Sequence, residues 1–426
     1  MHPELCIRLF EQKAATALYI YFNLNTMKYS NVLSFLLLTA LAILSACNSD
    51  SKPPSIAPPP PEGALPTSPK PEVYLYAVSV EKLNLREESN KNGKVITQFP
   101  EGGIVEGSGE ISANKEEATL RDIPYNEPYF KVKSIVAPQQ SGWAYSAALK
   151  PVYAGSRATS PDITRLTEFS SFLKSLSVTK LENGKKAFDY VKTNLTGANG
   201  TLADATLILL QNFLSRMEME GNYYNLTDAI QWADDDFEAI WKETFDMNKY
   251  PVTKRLAENG FRLEQGEGMV FPIVDWGQLA NFFAGRVTPP MKEYMLQTLA
   301  EQKDNAYDDG GIVIGLDILA ERAIFWEKFN QQNPYFVLNA ETQDSERWLR
   351  LIMVNGSDNT PVFDYDTHLP TEDFKTVWAL IFQKYPGSKL AKDVKVLNDL
   401  LASEGGKRTK KVEDWQMQYA NDYSTK

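Results

Sequence analysis

Histidine and cysteine are scarce in this 426-residue chain: two of each, His2 and His368, Cys6 and Cys47. Long apolar runs are scarce as well. Val32 to Leu44, broken only by Ser34 and Thr39, is too short to span a bilayer comfortably as a helix. There is no excess of basic residues; the formal net charge is −11. An acidic body repels nucleic acid and anionic lipid head groups, so neither is an expected partner. What the chain does have is 43% hydrophobic and 12% aromatic residues, which excludes a disordered protein. Its length exceeds one ordinary core, so two or three domains are expected.

The N-terminal region reads as an address. Met27-Lys28 supplies a short positive segment, Val32–Leu44 an apolar one, and Leu44-Ser45-Ala46-Cys47 a small-residue site ending in a thiol. This stretch resembles the signal peptide and lipobox of bacterial lipoproteins. The resemblance implies cleavage before Cys47, acylation of its sulfur (palmitate being the usual label) and attachment to a membrane of the cell envelope. Glu4 and Glu11 suit a signal peptide poorly, so translation is expected to start at Met27; the other reading is a long positive segment beginning at Met1. Asn48 follows Cys47, and in enterobacterial-type sorting a residue other than Asp there implies the outer membrane. Two or more acyl chains anchor a protein stably without help from charge.

After such processing the chain keeps His368 alone and no free thiol. Cys-His peptidases and L,D-transpeptidases lose their nucleophile, zinc amidases their histidine ligands, and no disulfide can form. A Ser-His-Asp hydrolase would depend on His368, and no Gly-x-Ser-x-Gly elbow is present. Paired-carboxylate glycoside hydrolysis survives these exclusions because it needs only Asp and Glu. Glu264 and Glu267, near Trp276, are the pair a muramidase or transglycosylase would use.

Residues 47–72 read as a proline-rich tether, including Pro58-Pro59-Pro60-Pro61, long enough to reach about 70–80 Å when extended. Residues 73–153 change character. Short β-prone runs (Val78–Val80, Leu83–Arg86, Val95–Ile96, Tyr129–Lys133, Gly142–Tyr145) alternate with turns at Asn92-Gly93 and Pro100–Gly103. Close spacing of short strands predicts a small antiparallel barrel. Leu83–Arg86, the Ser89–Gly93 turn, Val95–Ile96, Pro100–Gly102, Tyr129–Val132 and Gly142–Leu149, in that order, resemble the bacterial SH3-like (SH3b) domain. Tyr129 stands where that family usually has Trp, and Ile111–Pro128 forms a longer, charged insertion. The resemblance implies a domain that binds peptidoglycan or docks on an envelope protein, with Trp143, Tyr145, Tyr129, Tyr76 and Tyr125 as candidate ligand-stacking rings.

A second linker, residues 154–161, leads into residues 162–426, where the period becomes helical. Ile163, Leu166, Phe169, Leu173 and Leu176 share one face, and later segments read as about ten helices. Thr288 is an expected N-cap before Pro289-Pro290. One β-hairpin is expected, Phe261 to Val274 around Glu264–Gly268. No named family is assigned to this part, and no clean repeat is found, although Phe374–Leu401 looks like a single helical-repeat pair. The fold class expected is therefore a small all-β SH3-like barrel followed by a mainly α-helical domain with one β-hairpin.

Two acidic clusters invite a metal reading. Asp304–Gly311 fails as a calcium loop, because with Gly310 at the sixth position Tyr307 and Leu316 fall where ligands belong. Asp358, Asp364, Asp366 and His368 are better explained as turn and capping groups. No cofactor and no metal are expected. Trp232, Trp241, Trp326, Trp348 and Trp378 fall at helical spacing among Leu and Phe and read as core, and Asp234–Asp236 as an exposed face. The function expected is non-catalytic binding or docking at the cell envelope.

Overall fold

The computed structural model describes residues 70–135, 139–156, 159–221, 251–266 and 269–424. Cys47 and residues 48–69 of its tether, Glu267, Trp232, Trp241 and Asp234–Asp236 lie outside the described residues.

The N-terminal part is one seven-stranded antiparallel sheet. Its strands are β1 (Val73–Val78), β2 (Lys82–Arg86), β3 (Val95–Pro100), β4 (Ile104–Leu120), β5 (Ile123–Ser134), β6 (Ser141–Tyr145) and β7 (Leu149–Gly155). Their order across the sheet is β3-β2-β6-β5-β4-β1-β7. Side chains alternate along each strand, so two cores form. Tyr76, Val78, Leu85, Val105, Val132 and Ala144 pack inside the curl, while Leu75 and Ala77 of β1, Ile104 of β4 and Tyr153 of β7 face outward into the helices. The curl is tight where β2 crosses β6: they share the pair Arg86↔Trp143, and a Cβ on Gly142 would lie 2.4 Å from the Arg86 carbonyl oxygen. Only glycine fits there.

Eleven helices follow among the described residues: α1 (Ser160–Ser175), α2 (Glu182–Asn194), α3 (Thr201–Glu220), α4 (Pro251–Glu258), α5 (Trp276–Phe283), α6 (Pro289–Lys303), α7 (Leu316–Gln332), α8 (Asn339–Asn355), α9 (Glu372–Lys384), α10 (Lys389–Ser403) and α11 (Lys410–Ser424). Their starts follow from capping. The side chains of Thr159, Thr288 and Ser388 accept the amides of Asp162, Met291 and Ala391. Helix α3 is apolar nearly all round, with Leu207, Ile208, Leu210 and Leu214 fully buried, because it packs on the sheet and on neighbouring helices at once.

The expectation of one hairpin in the helical part is corrected: three occur among the described residues. β8 (Phe261–Gly266) pairs with β9 (Met269–Val274), β10 (Tyr307–Asp308) with β11 (Gly311–Ile312), and β12 (Gly356–Ser357) with β13 (Thr360–Pro361). The last two ladders hold two residues a side, too short to show period-2 alternation in sequence. Two helices follow each of the first two hairpins and three follow the last, so the order hairpin–helix–helix runs three times, starting at Phe261, Tyr307 and Gly356. The second and third hairpins touch: the Asn359 amide donates to the Gly310 carbonyl at 3.0 Å, and the Ile312 amide to Thr360 Oγ1 at 2.9 Å.

Candidate functional site

The outer face of β5 and β6 carries a group of ring and charged side chains. Register places Tyr129 opposite Tyr145 and Lys131 opposite Trp143, so all four share one face. Tyr129 and Tyr145 meet edge to face at 5.4 Å between ring centroids, and Lys131 Nζ lies 5.9 Å from the Trp143 ring while pairing with Glu110 at 2.8 Å. Trp143 is half-buried, and Arg86 follows it across the β2–β6 crossing, holding the Gly93 carbonyl at 2.7 Å through Nη1. A partly open indole between two cations can stack on a flat apolar face and attract carboxylates.

The sequence-derived insertion decides how much of this face is open. Residues 111–128 form the far part of the β4–β5 ladder, turning at Arg121-Asp122 with positive φ at both residues. This hairpin lies over the two tyrosines. Tyr145 Oη donates to the Glu116 carbonyl (2.6 Å) and accepts the Glu127 amide (3.1 Å). Tyr129 Oη donates to Glu116 Oε2 at 3.0 Å, and the Tyr129 amide donates to Ser112 Oγ at 2.8 Å. Burial, and then the bond to Glu116, push the Tyr129 phenol up to about 12; burial also raises that of Tyr145. Tyr125 rides on the covering hairpin itself, opposite Ala118. Tyr76 is elsewhere, inside the curl against Phe130 at 5.7 Å, with burial holding its phenol at about 12.

Of the five rings, the structure thus brings Tyr129, Trp143 and Tyr145 together, sets Tyr125 above them and removes Tyr76 to the interior. Sequence reasoning missed Lys131, Arg86 and Glu116. For Lys131 the signal existed, since it stands two residues after Tyr129 and shares its side of the strand.

The carboxylate alternative is arranged differently. Glu264 on β8 is ion-paired with Arg262, whose guanidinium also donates to the Gln302 carbonyl at 3.1 Å. Trp276 is buried, edge-on to Tyr294 at 6.0 Å. Asp364 accepts the amide and hydroxyl of Thr367, both at 2.7 Å, which fits a turn-capping role, and the Asp308–Gly311 segment is the β10–β11 turn. Among the described residues no group of three or more His, Cys, Asp or Glu is placed to hold a metal ion. An open apolar groove of about 460 Å³ runs between α9 and α10, lined by Leu369, Trp378, Phe382 and Leu401.

Compared with known protein families, with curated proteins and with solved structures, the chain matches none.

Proposed function

We propose that this chain is an acylated envelope lipoprotein that binds rather than catalyses, engaging peptidoglycan or an envelope protein through an SH3b-like sheet. The supporting observation is positional. The six sequence features of that resemblance fall, in order, on β2, the β2–β3 turn, β3, the turn after β3, β5, and β6 through the start of β7. The last two of them carry Tyr129, Lys131 and Trp143, which share one face. Helices cover the outer face of β1, β4 and β7 instead, leaving Trp143 partly open. Anchoring is assigned to the sulfur of Cys47, as the resemblance to a lipobox implies.

Two measurements test this reading. Metabolic palmitate labelling is expected to mark the parent chain and to miss Cys47→Ala. Sedimentation with insoluble peptidoglycan is expected to retain the parent chain and to drop at least tenfold for Trp143→Ala. Equal retention of the two chains, or none for the parent, removes the wall-binding arm.

A further inference from the structure

We propose that the far half of the β4–β5 hairpin, residues 111–128, is an autoinhibitory strap: it occupies the outer face of β5 and β6 in place of a ligand, and it moves away to uncover Tyr129 and Tyr145. This rests on the reading of that face as the binding surface. Three features, at root, middle and tip, support it.

At the root the ladder is broken. Register shifts occur between Gly107 and Ile111 and again between Ile111 and Lys115, with Ile111↔Phe130 the one pair between the breaks. Gly109 lies inside the first shift with φ +84°, and no atom beyond its own chain neighbours comes within 4 Å of the place its Cβ would take. A glycine in open space at a register break is a hinge. In the middle, the strap meets the tyrosines through Ser112 and Glu116 as well as Ala118 and Leu120, and its other side is exposed. The bonds made by the Tyr145 and Tyr129 hydroxyls, by the Glu127 amide and by Ser112 Oγ can all be exchanged for bonds to water or to a ligand. The packing of Ala118, Leu120 and Tyr125 on the same cluster cannot be exchanged in that way, so a displacing ligand must bring an apolar face of its own. At the tip, Arg121 is ion-paired with Glu101 and, at 2.9 Å, with Glu220 at the end of α3; Arg216 of α3 also holds Glu101 at 2.9 Å. These four side chains are partly solvent-exposed, so salt weakens the latch.

The ligand that displaces such a strap must offer what the strap offers. Amide and carbonyl groups would replace Glu127 and Glu116 at Tyr145, and a carboxylate would draw Lys131 from Glu110. An acidic peptide bearing a sugar face, as in wall fragments, supplies all three and also stacks on Trp143.

The experiment uses the full chain in detergent. Arg121→Ala unlatches the tip, and Tyr145→Phe removes three bonds to the strap, those with Glu116, Tyr125 and Glu127, while keeping the ring. Nitration of Tyr129 by tetranitromethane, read by mass spectrometry, reports uncovering without any ligand; sedimentation with insoluble peptidoglycan reports binding. Both variants are expected to nitrate Tyr129 at least threefold faster; Arg121→Ala, which leaves the Tyr145 hydroxyl in place for the ligand, is also expected to be retained at least threefold better, the gain vanishing when Trp143→Ala is added. Folded variants whose nitration is unchanged overturn the strap. Faster nitration with retention at the parental level, still dependent on Trp143, overturns the strap alone. Faster nitration with no retention in any form sinks the binding reading and the inhibitory role with it.

Discussion

Gly142 and Asp204 show how single residues constrain this molecule. At Gly142 a methyl group would strike the Arg86 carbonyl oxygen, and a backbone atom cannot swing aside as a side-chain end can. Gly142→Ala is expected to destabilise the protein by about 2–3 kcal/mol, the range for overpacking a tight site, seen as a lower urea midpoint at unchanged m. Asp204 is buried in α3 and accepts both the amide (2.9 Å) and the hydroxyl (2.7 Å) of Thr288, the cap of α6. Desolvation nevertheless dominates and lifts its carboxyl to about 6. The unfolded value is about 4. The folded chain therefore holds a proton that the unfolded chain releases between those values, and stability falls as pH rises from about 4 to about 6, then levels off. Asp204→Asn is expected to flatten that part of the profile by roughly 2–3 kcal/mol. Thermal melts at pH 4.5 and 7.5 measure it; an unchanged difference between the two would refute the assignment.

Among the elements, α10 shows how helices here are started by more than their own sequence. Ser388 caps it locally, its Oγ accepting the Ala391 amide at 3.0 Å. Glu327, from α7, reaches across to accept the Lys389 amide at 2.9 and 3.0 Å, and buried Glu346 of α8 takes the Lys389 ammonium at 2.7 Å. A carboxylate at a helix N-terminus is favoured by the exposed amides and by the helix dipole, although burial raises the Glu327 carboxyl. Ser388→Ala is expected to cost about 1 kcal/mol. Glu327→Gln keeps an acceptor and loses the charge, and is expected to cost about 1–2 kcal/mol. Because both substitutions weaken one helix start, the double variant should depart from additivity in a urea titration. Of these parts, Ser388 has a local signal, a serine directly before an apolar-periodic run, although only Thr288 was expected as a cap. Glu327 lies 62 residues away from Lys389 in the chain, so no local pattern marks it.

For the whole molecule, the decisive fact is that the sheet does not keep its core to itself. Leu75, Ala77, Ile104, Val152 and Tyr153 belong to the same apolar cluster as Phe169, Leu202 and Leu210. Ser170 Oγ of α1 also donates to the Gly102 carbonyl at 2.6 Å across that boundary. Two units joined by a shared core lose their outer contacts together when one unfolds. Leu75→Ala is expected to cost about 2–5 kcal/mol and to shift sheet and helix signals by the same amount. Tyrosine and tryptophan near-ultraviolet dichroism and the 222 nm helix signal should then give coincident melts; separated transitions would show independent units.

The amino-acid sequence by itself determined the local grammar: short β-prone runs and turns that make strands of 73–153, apolar spacing of about 3.6 that makes helices beyond them, and caps such as Thr288 that begin those helices. Such features depend on neighbours within a few residues, which is why they can be read along the chain. Tertiary structure alone decided which outward strand faces meet helices, that hairpins recur three times, and that an inserted segment covers Tyr129 and Tyr145 while Trp143 stays partly open. Those outcomes depend on where distant segments arrive in space, and two-residue ladders or a cross-chain carboxylate leave no period to detect.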